Sequence, residues 1–405
     1  MDKHEDQYSG FDLCLYTEYF MEDDAAKKAG ALIRKYGGTK VLLVYDMSVK
    51  ALGLDKTVVD SIKASGLACV EMPDGVVPNP RRSLVERGVD FAKAEKVDFV
   101  LGMGGGSTID STKAISLGLE YDGPVWDIYS HKVQPVKKAK CGVIPTIAAS
   151  GSEGSRASVL LDDIDTHQKS GIGLPFNRPL FVILDPKLTF TVPKKQTASG
   201  AADAFGHTFE RYFMCSQCHL ADQFALGVMR NIRKYSVIAY RDPTNYEARR
   251  EMQLSALFGH NDITEVGRSG RHGGAHDLAN QYFERLDAPH GISVAMMMAP
   301  WLEFIAEKGD DFEVGKAARL ATEVFGVEAD YENPKAVALE GAKRLRDWFR
   351  EMGLPMTFSE YGIDPATVSL DELVDATPFG PDGLYNGFHM MTRDDVRYVL
   401  EKVLK

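Results

Sequence analysis

The feature that most constrains this chain is a change of rhythm near residue 186. Up to that point, short apolar and β-branched runs alternate with amphipathic stretches. Strands are expected at 40–46 (KVLLVYD), 68–72, 97–104 (VDFVLGMG), 141–146 and 180–185 (LFVILD), and helices at 56–65, 82–96 and 108–119. Strands that are apolar along nearly their whole length and separated by helices belong to a parallel sheet covered on both faces. A doubly wound α/β domain follows. Beyond Asp185-Pro186 the strand pattern ceases. Helices are expected near 197–214, 219–240, 245–260, 272–284, 292–306, 311–325 and 334–352, with apolar residues three and four apart, as in Ala338, Ala342, Leu345 and Phe349. The chain therefore reads as two domains, an α/β domain over 1–190 and an all-helical one over 191–405. Its 405 residues are too many for one ordinary core.

The totals exclude several classes of function. A formal net charge of −11 argues against nucleic acid as a partner, because phosphate binding needs a basic face. The best apolar run, 294–300, is far too short to cross a bilayer. The first ten residues are polar and acidic, unlike a signal peptide. Five cysteines at 14, 69, 141, 215 and 218 are odd in number and widely spread, which gives no disulfide framework and points to a reducing cytoplasm. Cys215 and Cys218 form a lone CxxC without a second pair, and we read them as structural.

Chemistry enters at Gly104-Gly105-Gly106-Ser107, between the expected strand 97–104 and a helix opening at Thr108. Glycines there let the backbone approach an anion, and the helix start offers unpaired N–H groups and a positive dipole end. A pyrophosphate suits such a turn, and so does no ligand at all. The spacing of Gly102, Gly104 and Ser107 only approximates the dinucleotide fingerprint, which belongs on the first strand with an acid about 20 residues later. Here Asp46 ends the first strong strand, upstream of the glycines. It fits two roles equally: a ribose-binding carboxylate that repels a 2′-phosphate, or a turn aspartate. The loop 145–153 (PTIAASGSE) adds small hydroxyl residues at another strand end.

In the second half, Asp203 and His207 stand four apart and share a helix face. His276 lies in GGAHDLAN and His290 in LDAPHGIS. One carboxylate and three imidazoles can hold Fe(II) or Zn(II) and leave a position for a substrate oxygen. On one straight helix His276 and His290 would stand about 21 Å apart. The chain must therefore break between them, and 285–289 (RLDAP) is the expected place. His272 reads as a surface residue. Phe258, His260 and Trp301 are candidates for a substrate pocket from position and size.

In combination, VPNPRR, GMGGGSTIDSTKAIS, PTIAASGSE, VILDPKLTFTVP, SGAADAFGHTFE and DAPHG resemble the iron-containing (group III) alcohol dehydrogenases, especially their butanol dehydrogenase-like branch, from about Phe11 to Leu404. The resemblance implies a dehydroquinate synthase-like fold, with an N-terminal dinucleotide-binding domain and a helical metal-binding domain. It implies Asp203, His207, His276 and His290 as metal ligands. It places cofactor contacts on Asp46, Asn79, Gly105, Gly106, Ser107, Asp110, Thr146, Ser150 and Lys169, beside Gly104 of the turn. It also implies a homodimer pairing partly through the strand expected at 11–21. The activity implied is a metal-dependent, NAD(P)-linked alcohol dehydrogenase, or aldehyde reductase in reverse, acting on small primary alcohols or diols.

Two departures carry weight. Family members usually have a histidine, often proposed as a proton relay, where this chain has Asn280, which makes Asn280 the catalytic candidate. Asparagine hydrogen-bonds but does not titrate. Close relatives often carry a glycine- and serine-rich turn after the first strand that admits NADP; Tyr45-Asp46-Met47-Ser48 favours NAD. Rival readings are a lyase like the dehydroquinate synthases, a glycerol dehydrogenase-like polyol oxidase, and a weakened relative that only binds metal or nucleotide. Few basic residues near Asp203–Arg211 oppose the first, His207 opposes the second, and Asn280 motivates the third.

Overall fold

The computed structural model describes residues 11–268, 273–283 and 289–404, with 280–283 by backbone alone. The chain divides into two compact units: Cys14–Val192, and Pro193–Lys405 together with the short segment ending at Leu13.

The first unit is built on a parallel sheet. Its strands are β1 (Glu18–Met21), β2 (Lys40–Tyr45), β3 (Ala68–Glu71), β4 (Phe99–Gly104), β5 (Lys140–Pro145) and, after a hairpin of β6 (Ala157–Leu161) and β7 (Lys169–Gly173), β8 (Phe181–Leu184). The sheet order is β1-β8-β5-β4-β2-β3, parallel throughout. Helices α1 (Ala29–Lys35), α2 (Met47–Ala51), α3 (Lys56–Ala64), α4 (Arg82–Ala94), α5 (Gly106–Gly118) and the short α6 (Trp126–Tyr129) join them. Each central strand is buried on both faces because alternate residues enter different cores. Val41, Leu43, Phe99, Leu101 and Met103 pack with Ile33, Val58 and Ile62. Leu42, Val44 and Val100 pack with Val85, Val89, Ile115 and Leu117. After β2 the chain proceeds to β3 on one side, and after β4 to β5 on the other. The carboxyl ends of β2 and β4 thus flank the switch point where parallel sheets bind ligands.

The hairpin β6–β7 is absent from the sequence reading, because its strands (ASVLL and KSGIG) carry serines, glycines and a lysine instead of an apolar run. The strand expected at 11–21 is shorter, Glu18–Met21, and pairs with β8 of its own chain.

Helix α5 is buried on nearly every side, even at Lys113. The Lys113 ammonium donates to Ser152 O (2.6 Å), Ser152 Oγ (3.0 Å), Ser155 O (2.9 Å) and Ala157 O (2.7 Å). One turn earlier, Asp110 accepts from Ser152 Oγ (2.5 Å) and Val159 N (3.1 Å). Burial pushes the Lys113 ammonium down to about 8, and it pushes the Asp110 carboxyl up against the pull of Lys113. The glycine turn at the start of α5 and the loop after β5 are thereby one piece.

The second unit contains α7 (Lys194–Tyr212), α8 (His219–Arg241), α9 (Tyr246–Gly259), α10 (Ala275–Phe283), α11 (His290–Lys308), α12 (Asp311–Phe325), α13 (Pro334–Glu351), α14 (Phe358–Tyr361), α15 (Leu370–Asp375) and α16 (Arg393–Leu404). The expectation that strands cease after residue 186 needs one correction. Tyr385–Asn386 and Met390–Met391 form a small antiparallel pair, too short to leave a period-two signal.

Lys113→Met should destabilise the first unit by about 3–5 kcal/mol, because it strands a buried carboxylate and several carbonyls. Denaturant unfolding followed in that unit checks this; a change below about 1 kcal/mol would show that the loop satisfies itself otherwise.

Candidate metal centre and nucleotide turn

Asp203 and His207 stand one turn apart on α7, whose small residues (SGAADAFGH) let neighbouring helices come close. A Cβ on Gly291 would collide with the Ser199 carbonyl of α7. Only glycine allows α11 to approach α7 here, and this brings His290, the first residue of α11, to Asp203. His276 is the second residue of α10. The four candidate ligand atoms lie within 4.8 Å of one another. His276 Nε2 is 2.7 Å from His290 Nε2. Asp203 Oδ1 is 3.2 Å from His290 Nε2 and 3.5 Å from His207 Nε2. The break between His276 and His290 therefore exists, since the rings meet where a straight helix would hold them about 21 Å apart. Residues 284–288 of that break lie outside the described residues.

A divalent ion fits this set. Bonds of about 2.0 Å in a tetrahedron put ligand atoms roughly 3.3 Å apart, the separation these atoms already approach. Asp203 Oδ1 is buried and accepts no hydrogen bond among the described residues, which is costly for a carboxylate oxygen unless a cation faces it. One carboxylate with three imidazoles suits Fe(II) or Zn(II).

The surroundings fix the imidazoles. His260 stacks on His207 with ring centroids 4.2 Å apart, while His276 meets His207 edge-on at 4.6 Å. Glu210, buried one turn beyond His207, accepts from the backbone N–H groups of Gly274 (2.8 Å) and His276 (2.6 Å). The sequence pattern singles out neither Glu210 nor Lys113. The seven-residue interval from Asp203 to Glu210, which keeps both on one helix face, was the available signal for Glu210. Of the pocket candidates, Phe258 is partly exposed and His260 lies against the cluster. Trp301 is fully buried between Phe209 and Phe213 and is a core residue. Cys215 and Cys218 are in no disulfide among the described residues and lie outside the ligand group. His272 and the side chain of Asn280 lie outside the described residues.

In the first unit, Gly104 ends β4, Gly105 precedes α5, and Gly106 and Ser107 form its first turn. A side chain on Gly106 would strike Ser150 Oγ, so the turn and the loop after β5 pack backbone to side chain. Asp46 caps α2, accepting from Ser48 N (2.9 Å) and Val49 N (3.2 Å) through Oδ1. Its Oδ2 accepts from Gly105 N at 3.4 Å. Asp46 is thus a turn aspartate, and its second oxygen borders the glycines. Thr146 follows β5, and its N–H donates to Gly104 O at 3.1 Å. Asn79 is exposed in a left-handed turn (φ 60°), and Lys169 opens β7. Asp110 faces inward, to Ser152 and Val159.

Residues 17–186 match the family model for iron-containing alcohol dehydrogenase, and residues 197–404 that for the C-terminal part of the Fe-containing alcohol dehydrogenase family. The chain belongs to the iron-containing alcohol dehydrogenase family, and it is an oxidoreductase of the alcohol dehydrogenase type. It is 33% identical to NADH-dependent butanol dehydrogenase A of Clostridium acetobutylicum over 87% of this chain and 89% of that one. It is 29% identical to the NADPH-dependent aldehyde reductase YqhD of Escherichia coli over 81% and 84%. The solved structure of an NADH-dependent butanol dehydrogenase A from Thermotoga maritima superposes with a TM-score of 0.89 at 32% identity, covering 98% of this chain and all of that one.

Gly291→Ala should push α11 off Ser199 and cost about 1–3 kcal/mol in overpacking. Metal content after gel filtration should fall below that of the wild type; an unchanged stoichiometry would show that His290 does not depend on this contact.

Proposed function

We propose that this chain interconverts small primary alcohols or diols and their aldehydes, using NAD in preference to NADP and a divalent ion, iron or zinc, held by Asp203, His207, His276 and His290. The observation that carries the reading is the convergence of one orphaned carboxylate oxygen and three imidazole nitrogens within 4.8 Å. An ion there supplies Lewis-acid chemistry, acidifying an alcohol hydroxyl in one direction and polarising a carbonyl in the other. The nicotinamide supplies the hydride chemistry. The protein's part is positioning. Asp203 offsets half of a dication's charge and the neutral imidazoles leave the remainder, so the site stays electrophilic. The first turn of α5 and the adjoining loop offer N–H and hydroxyl groups to a pyrophosphate. Asp46, beside Gly105, sets a carboxylate where a ribose 2′-hydroxyl is welcome and a 2′-phosphate is repelled. Five cysteines, none of them in a disulfide among the described residues, agree with a reducing cytoplasm, and the family resemblance supports a homodimer.

Metal-loaded protein assayed anaerobically with NAD and NADP against C2–C6 alcohols and diols tests the reading. NAD should give the higher kcat/KM, and Asp46→Gly should narrow the ratio. A clear NADP preference in the wild type would overturn the role given to Asp46, and no turnover with any alcohol would overturn the activity.

Asn280 stands where the family resemblance implies a histidine proton relay, yet an ion held by Asp203, His207, His276 and His290 would itself acidify the alcohol. Asn280→His should therefore raise kcat by less than about tenfold, roughly 1.4 kcal/mol of barrier, across the pH range at equal metal content. A larger gain would mean that the chain has given up a proton relay it needs.

A further inference from the structure

Three ligand-bearing helix segments must be held in register before an ion can bind. Asp203 and His207 share α7, and α11 is seated on α7 through Gly291. The remaining ligand, His276, sits at the start of α10, whose first N–H groups have no partners within the helix. Those groups are met from outside by Glu210. Its Oε2 accepts from Gly274 N and its Oε1 from His276 N, both at bonding distance. Gly273 N donates to the Glu210 main-chain carbonyl at 3.4 Å, so the segment is held by side chain and backbone together. Gly274 adopts φ 116°, a conformation that lets two nearby N–H groups turn toward one carboxylate and that a side chain would resist. A carboxylate at a helix start also complements the helix dipole.

We propose that Glu210 is the positioning residue of the metal centre: a buried carboxylate, one turn beyond a ligand on α7, that clamps the backbone of the ligand His276 and makes α7 and α10 one rigid support. It lies outside the four-residue ligand group and acts through the main chain of His276. The proposal rests on reading Asp203, His207, His276 and His290 as ligands. Glutamine in its place keeps the shape but sets an amide N–H against one of the two backbone donors, so the clamp loses one arm.

The test uses full-length wild type, Glu210→Gln and Glu265→Gln, stripped of metal and titrated with Co(II). Glu265 pairs with Arg211 on the same helix (3.3 Å) and controls for loss of a nearby carboxylate. Glu210→Gln should bind Co(II) about 10–100-fold more weakly and show an altered visible spectrum, with NADH binding unchanged. Glu265→Gln should match the wild type in affinity and spectrum. Wild-type affinity and spectrum in Glu210→Gln would overturn the proposal, as would an equal loss in Glu265→Gln. Failure of the wild type itself to bind one Co(II) would instead overturn the ligand assignment, and the clamp with it. Should Glu210→Gln not fold, hydrogen exchange on the metal-free wild type decides. Slow exchange at Gly274 and His276 before any metal is added supports the clamp. Fast exchange that slows only on metal loading overturns it.

Discussion

A buried carboxylate oxygen without a donor costs on the order of 1–3 kcal/mol, and more when charged, and Asp203 Oδ1, which has no donor among the described residues, sits at the centre of the ligand cluster. Its orphan state is tolerable only if something positive comes to face it. Three imidazoles are brought to the same point by three different helices, and each arrival has its own cause. His207 comes by helical spacing, His290 by the missing side chain at Gly291, and His276 by the anchoring of its segment to α7. Once those packings exist the donor set exists, and small residues along α7 are their precondition.

In the first unit the equivalent constraint is the buried ammonium of Lys113. It collects oxygens from residues 152, 155 and 157 and leaves the loop after β5 no independent position. The glycine turn gains definition from a residue two turns into the helix it opens. An anion arriving at that turn meets groups already in place, which limits the ordering cost of binding.

The parts of this fold that the sequence reveals are those governed by burial pattern. The central strands show as apolar runs because both faces are covered. Helix 311–325 matches its expected bounds because Asp310 and Glu313 form a capping box and Gly326 ends it in a left-handed turn. The hairpin β6–β7 stays hidden because a serine- and glycine-bearing ribbon carries no such pattern. At the candidate metal centre, the Asp203–His207 pair is visible as a spacing, whereas the meeting of His276 with His290 is a tertiary event that no local period encodes. Trp301 misleads for a related reason: its size suits a pocket wall, but the aromatic neighbours that enclose it come from elsewhere in the chain. Glu210 and Lys113 sit inside recognisable motifs, yet charge on a helix normally signals a solvated face; only the seven-residue interval to Asp203 points Glu210 inward, and nothing local does so for Lys113.

The double engagement of Asp46 bears on how cofactor preference in such a chain can change. One oxygen secures α2 and the other borders Gly105, so the discrimination proposed for Asp46 and the local folding share a single side chain. Removing the carboxylate altogether relaxes the charge but also uncaps the turn, a loss of about 0.5–2 kcal/mol when the replacement cannot cap. Asparagine or serine would keep a capping oxygen while discarding the formal charge. Drift toward a phosphorylated ribose is therefore easiest through neutral capping residues, along a path set by helix chemistry as much as by the ligand.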